Sequence, residues 1–125
     1  MVKIILVTHG QLAQQMLETA GQIIGKPADD GFATFSVTAA ASVEKEAAKL
    51  HEHLKTCQDG AIILTDIFGG SATNISLTAS KDLPKCHVIT GLNLSMLLTA
   101  INSRKKLSDK ELAEKIEADG KRAVI

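Results

Sequence analysis

Tryptophan and tyrosine are absent from this 125-residue chain, and Phe32, Phe35 and Phe68 are its only aromatic side chains. So sparse a set offers few platforms for stacking nucleobases and leaves the core to aliphatic residues. Net charge is missing too. Fourteen Lys and Arg offset fourteen Asp and Glu, so no broad positive field exists to hold nucleic acid or an anionic membrane. Two cysteines without a CxxC spacing, Cys57 and Cys86, are too few for a disulfide scaffold or a zinc site and read as buried free thiols. No apolar run approaches the ~18 residues that span a bilayer, and no signal-peptide pattern is recognised, so a cytoplasmic protein is expected. Repeats, low-complexity tracts and linkers are likewise lacking, and 45% hydrophobic content suffices for one core. A single domain over residues 1–125 is expected.

Strand-like and helix-like patterns alternate along the chain. The β-branched run Lys3 to Thr8 suits a strand buried on both faces, and Gln11 to Ile24 carries apolar residues on one helical side before Gly25 and Pro27 close it. Phe32 to Val37 reads as a second strand, and Ser42 caps a helix to about Leu54. Ala61 to Thr65 is a third strand, followed by the turn Phe68, Gly69, Gly70 and a helix with Ser71 as its N-cap. Cys86 to Thr90 is a fourth strand and Leu94 to Arg104 a helix. Asp109 to Asp119 is a last polar helix, and Lys121 to Ile125 a short terminal strand. The succession predicts an α/β fold, a doubly wound and mainly parallel sheet of order 2-1-3-4 with helices on both faces. The terminal strand is expected to pair antiparallel, at an edge or with a second copy of the chain.

His9 ends the first strand and Asp66 follows the third, and in this order those two strand ends adjoin at the crevice where open α/β sheets bind ligands. A carboxylate accepting from one imidazole nitrogen orients the other, so Asp66 would aim His9 as a nucleophile. Gly69 and Gly70 clear side chains from the start of the next helix, whose free amides and positive dipole end receive an anion, with the Ser71 hydroxyl as a further donor. Histidine beside an anion cradle suggests phosphohistidine chemistry. Taken singly, each feature has a plainer reading: a surface histidine, an aspartate capping its turn, glycines permitting positive φ. His51 and His53 lie among Glu44, Lys45, Glu46 and Lys49 and read as a solvated face; two residues apart, they are a poor metal pair. His87 reads as strand packing or an edge contact, and Met16 and Met96 as core. No carboxylate cluster for Mg²⁺ is evident, and neither metal nor cofactor is expected.

The segments IILVTHGQLAQQMLETAGQIIG, LTDIFGGSATN and VITGLNLSMLLTAI resemble, in order and spacing, the IIA domain of the mannose family of the bacterial phosphoenolpyruvate-dependent sugar phosphotransferase system (PTS). The resemblance spans essentially the whole chain. It implies that His9 accepts a phosphoryl group at Nε2 from the carrier protein HPr, with Asp66 holding Nδ1, and donates it to a histidine of a IIB protein or domain. Sugar uptake through IIC and IID membrane subunits would follow. It also implies a homodimer in which the terminal strand crosses to the partner. Many members carry proline where this chain has Ala72, a change that suits the first helical turn nearly as well. By position Thr8, Gly10, Thr65, Phe68 and Asn93 are expected to line the site. With no Ala/Pro-rich linker after the terminal strand, the IIB acceptor is expected on another polypeptide.

Other readings remain at this stage. The phosphocarrier subunit of a dihydroxyacetone kinase also resembles this fold and uses an early histidine. A non-catalytic regulatory module could bind a small anion in the crevice. A response regulator would want acidic residues after the first strand, and a histidine phosphatase an arginine at the position of Thr8. Which sugar is served is not written in this chain.

Overall fold

A computed structural model describes residues 1–125. In chain order the elements are β1 (Lys3–His9), α1 (Leu12–Ile24), β2 (Phe32–Val37), α2 (Val43–Lys55), β3 (Ala61–Thr65), α3 (Ser71–Ser80), β4 (Cys86–Ile89), α4 (Leu94–Ser103) and α5 (Asp109–Arg122). The four strands form one sheet of order β2-β1-β3-β4, parallel throughout. No helix is long and apolar enough to cross a membrane.

The near-continuous apolar runs in β1 and β3 have a direct cause: both faces of both strands are covered. Ile4 and Leu6 join Ile62 and Leu64 in a core shared with Ala13, Leu97, Leu112 and Ile116. On the other face Ile5 and Val7 join Ala61 and Ile63 against Leu50, Leu54, Ile75 and Ala79. Thus α1, α4 and α5 pack on one side, and α2 and α3 on the other. Register aligns Val7 with Thr65 and His9 with Val37. The order reverses direction between β1 and β3, so the turns that leave them splay to opposite faces and open a crevice between the two C-terminal strand ends.

The other end of the sheet is tied by charge. Arg104, only 3% exposed, donates Nε to the Val2 carbonyl at 3.0 Å and Nη1 to both Asp29 carboxylate oxygens at 3.1 and 3.0 Å, and its guanidinium lies over the Phe32 ring. His87 Nε2 meets Asp109 at 2.7 Å, and the N-terminal ammonium pairs with Asp59.

Several local expectations are corrected. Lys121 to Ile125 is not a strand in this chain: α5 continues through Arg122. The Ser108–Glu111 capping box starts that helix, and a Glu117–Lys121 pair at 2.9 Å supports its last turn; residues 121–125 join no strand of the sheet. Val124 and Ile125 stand exposed. Ser71 is the first residue of α3 and Gly70 its N-cap. His51 and His53 are half-buried rather than solvated, because α2 packs on α3: the Ala79 carbonyl lies 2.8 Å from His51 Nδ1, and His53 meets the Phe35 ring edge-on. Cys57 and Cys86 are free but only half-buried.

Candidate functional site

At the C-terminal end of β1, His9 is 48% exposed in its side chain while Asp66, just past β3, is 10% exposed. Asp66 Oδ2 accepts from the His9 backbone N–H and lies 2.9 Å from His9 Nδ1; Oδ1 accepts from the Ile67 N–H, also at 2.9 Å. Burial alone would push the Asp66 pKa up. The hydrogen bonds from His9 and Ile67 and the attraction of the imidazole outweigh it and hold the carboxyl below its ordinary value. An ionised carboxylate only accepts, so Nδ1 of the neutral ring carries the proton and Nε2 keeps its lone pair. The ring is thus held at Nδ1 and offers Nε2.

The local chain explains why the ring sits there. Gly10, at φ +55°, takes the backbone out of β1 through a conformation that disfavours side chains. Thr8 then caps α1 by accepting from Ala13 N at 2.9 Å. After β3 the segment Asp66–Gly70 delivers the N-terminus of α3 beside the ring: a Cβ built on Gly70 would stand 3.4 Å from His9 Cε1. The first helical bond of α3 runs from Asn74 N to Gly70 O, so the amides of Ser71, Ala72 and Thr73 precede the ladder and carry the positive end of the helix dipole. Ser71 is exposed at this edge.

Of the residues expected from the sequence, His9, Asp66, Gly69, Gly70 and Ser71 come together here, and Gly10 flanks them. Phe68 is 81% exposed and Ile67 62%, forming an apolar rim. Thr8 and Thr65 do not line the crevice, since both are fully buried. Thr8 is occupied with α1, and the Thr65 hydroxyl lies 3.0 Å from that of Thr73. Asn93 caps α4 through Met96 N and donates to the Gly120 carbonyl. Met96 belongs to the core. Thr73 was not foreseen; a threonine eight residues after Thr65, across a strand, turn and helix start, was the signal available. Nowhere do three His, Cys, Asp or Glu side chains converge. A cavity of about 710 Å³ opens between the end of α1 and the start of β2 and is lined by Leu17, Gly21, Lys26 and Phe32, away from His9. The histidine stands on an open surface, which suits a group presented by another macromolecule better than a small molecule to be engulfed.

Comparison with known proteins identifies the family. A family model for EIIA-man, described as the PTS system fructose IIA component, matches residues 3–117. Over 105 residues the chain is 32% identical to the PTS system mannose-specific EIIAB component of Escherichia coli K12, a match covering 82% of this chain and 32% of that protein. The chain therefore spans about a third of that relative's length. It is 24% identical over 120 residues to the PTS system fructose-specific EIIA component of Bacillus subtilis, covering 94% of this chain and 81% of that one. Among solved structures, the mannose/sorbose specific IIA subunit of Enterococcus faecalis superposes with a TM-score of 0.86 at 32% identity, over 99% of this chain and 92% of that one. The EIIA component of Streptococcus agalactiae superposes with 0.88 at 27% identity, over 100% and 96%. The chain belongs to the EIIA-man family of phosphotransferase-system IIA components.

Proposed function

We propose that His9 is the phosphoryl-carrying residue of this component, accepting the group at Nε2 from HPr and donating it to a histidine of a IIB protein or domain. The observation that carries the reading is the 2.9 Å contact between His9 Nδ1 and Asp66, with the N-terminus of α3 beside the ring. In the forward step the Nε2 lone pair attacks phosphorus in line, and the bond from phosphorus to the donor nitrogen breaks, its electron pair leaving with the donor. The proton on Nδ1 stays between His9 and Asp66, and the carboxylate offsets the positive charge that grows on the ring. Amides at the start of α3 and the Ser71 hydroxyl receive the phosphoryl oxygens. In the return step phosphorus leaves Nε2 by the same path, so positioning and charge stabilisation suffice.

The rim accounts for the partner class. Residues 8–15, 36–42 and 67–74 contain no Lys, Arg, Asp or Glu, and Ile67 and Phe68 stand out from it. Docking is therefore apolar and weakly sensitive to salt. Location in the cytoplasm and assembly as a homodimer belong to the same reading.

Intact-mass spectrometry after incubation with Enzyme I, HPr and phosphoenolpyruvate tests it. The expected result is a gain of one phosphoryl mass, acid-labile and absent from His9→Ala. No gain in the folded wild-type protein overturns it. Phosphorylation that no IIB acceptor discharges would move the assignment to the carrier subunit of a dihydroxyacetone kinase.

A further inference from the structure

Asp66 does not hold His9 unaided. Its Oδ1 accepts from the Ile67 N–H, so the aim of the carboxylate depends on where the peptides flanking Ile67 lie, and Ile67 itself is largely exposed. What fixes its carbonyl is buried. Thr73, 2% exposed in the first turn of α3, donates its hydroxyl proton to the Ile67 carbonyl at 2.6 Å. That proton being committed, the 3.0 Å contact with Thr65 must have Thr65 as donor. A one-way chain results: Thr65 to Thr73, and Thr73 to Ile67. The same carbonyl also receives a long bond from Gly70 N. Ile67 is thereby held at its N–H by the residue that orients the histidine and at its C=O by a residue of the helix that faces it.

We propose that Thr73 is a positioning residue for His9, acting through the Ile67 carbonyl to hold both the Asp66 carboxylate and the Gly70 start of α3 in place. The proposal rests on the phosphoryl-carrier reading of His9 and adds a residue that touches neither the ring nor the phosphoryl group. The hydroxyl, and not the shape of threonine, is what the site requires. Thr65 is the dispensable end of the chain, because removing it leaves the Thr73 proton on Ile67.

The test compares wild type with Thr73→Val, Thr73→Ser and Thr65→Val. Two quantities are read: steady-state phosphorylation by phospho-HPr, and the His9 tautomer, followed by the ¹⁵N NMR signals of its two ring nitrogens. In Thr73→Val, kcat is expected to fall roughly tenfold with KM for phospho-HPr unchanged, the cost of a small misplacement of reacting groups. The Nδ1–H tautomer should give way to a mixture with Nε2–H as the carboxylate loses its aim at Nδ1. Thr73→Ser should restore both, and Thr65→Val should keep both near wild type. Wild-type values in Thr73→Val overturn the proposal, and so do equal losses in Thr73→Val and Thr65→Val, which would mark packing damage. If Thr73→Val does not fold, Thr73→Cys, close in shape to Thr73→Ser but a weak donor, supplies the comparison; equal behaviour of those two overturns it. A wild-type protein that takes up no phosphoryl group defeats the carrier reading instead, and the tautomer still judges the role of Thr73.

Discussion

Asp66→Asn is the substitution that interrogates the site most directly. Three N–H groups converge on the two carboxylate oxygens, the His9 backbone and Nδ1 on Oδ2 and the Ile67 backbone on Oδ1. An amide has one acceptor oxygen and one donor nitrogen, so it cannot satisfy them all. With its oxygen towards His9, its NH₂ opposes the Ile67 N–H; turned over, its NH₂ faces the ring. In that second arrangement Nδ1 becomes the acceptor, the proton moves to Nε2, and the attacking lone pair is lost. Even in the first arrangement the ring exchanges a charged partner for a neutral one as positive charge develops. A hydrogen bond to a charged group is worth about 1.5–3 kcal/mol, so phosphorylation should slow by about 10- to 100-fold, with a further loss from the wrong tautomer. The assay is the time course of phosphoryl incorporation from phospho-HPr, read by intact mass, beside a thermal melt. A folded Asp66→Asn protein phosphorylated within about twofold of wild type would refute the argument that the carboxylate sets the tautomer and the charge.

Four other outcomes follow from the geometry. Gly70→Val places branched carbons against His9 Cε1, where even a Cβ would stand at 3.4 Å, and should slow phosphorylation at least roughly tenfold, while Gly70→Ala stays near wild type; the same mass assay separates them. Phe68→Ala should leave the unfolding midpoint almost unchanged, since the ring is 81% exposed, but weaken phospho-HPr or IIB binding by about 1–2 kcal/mol, measurable by calorimetry. Arg104→Met removes the buried partner of the Val2 carbonyl and of Asp29, which keeps Lys105 and the Gly31 N–H, and should cost about 2–3 kcal/mol by denaturant titration without slowing phosphoryl uptake. The carboxyls of Asp66 and Asp29 titrate below their ordinary 3.8 in the folded chain. Their contribution to stability is therefore complete above about pH 4 and lost as pH falls through the lowered native values; melts at pH 5, 4 and 3 should show the decline, and Asp66→Asn should flatten it.

The elements whose bounds were most legible in the sequence are those whose patterns admit one solution. Phe32–Val37 and Ala61–Thr65 form strands with the expected ends, because an Asp-Gly pair opens each and the apolar pattern stops after Val37 and Thr65. His9 and Asp66 could be paired before any coordinates because parallel strands 1 and 3 have few ways to be ordered around short crossovers. What escaped is what depends on a partner outside the local window. Gly70 displaces Ser71 as N-cap because the Ile67–Gly70 turn enters the helix one residue earlier than the serine suggests. Thr8 and Thr65 sit at strand ends, where either crevice or core was open to them, and neighbouring helices claimed both hydroxyls. Residues 121–125 carry β-compatible Val124 and Ile125, but the capping box and the Glu117–Lys121 pair carry α5 on through Arg122.

The sheet has two chemically opposite ends. At one, Arg104 with Asp29, His87 with Asp109 and the N-terminal ammonium with Asp59 bind distant stretches of chain together; at the other, His9 and Asp66 stand among the uncharged stretches 8–15, 36–42 and 67–74, and the ion pairs at the end of α5 join only neighbours on that helix. Permanence is lodged where nothing needs to dock, and the working end is free of the charged ties that would couple a change of partner to a change of fold. Substitutions in the apolar rim can redirect recognition while the far end keeps the protein standing, so a carrier of this build can be matched to new partners one surface residue at a time.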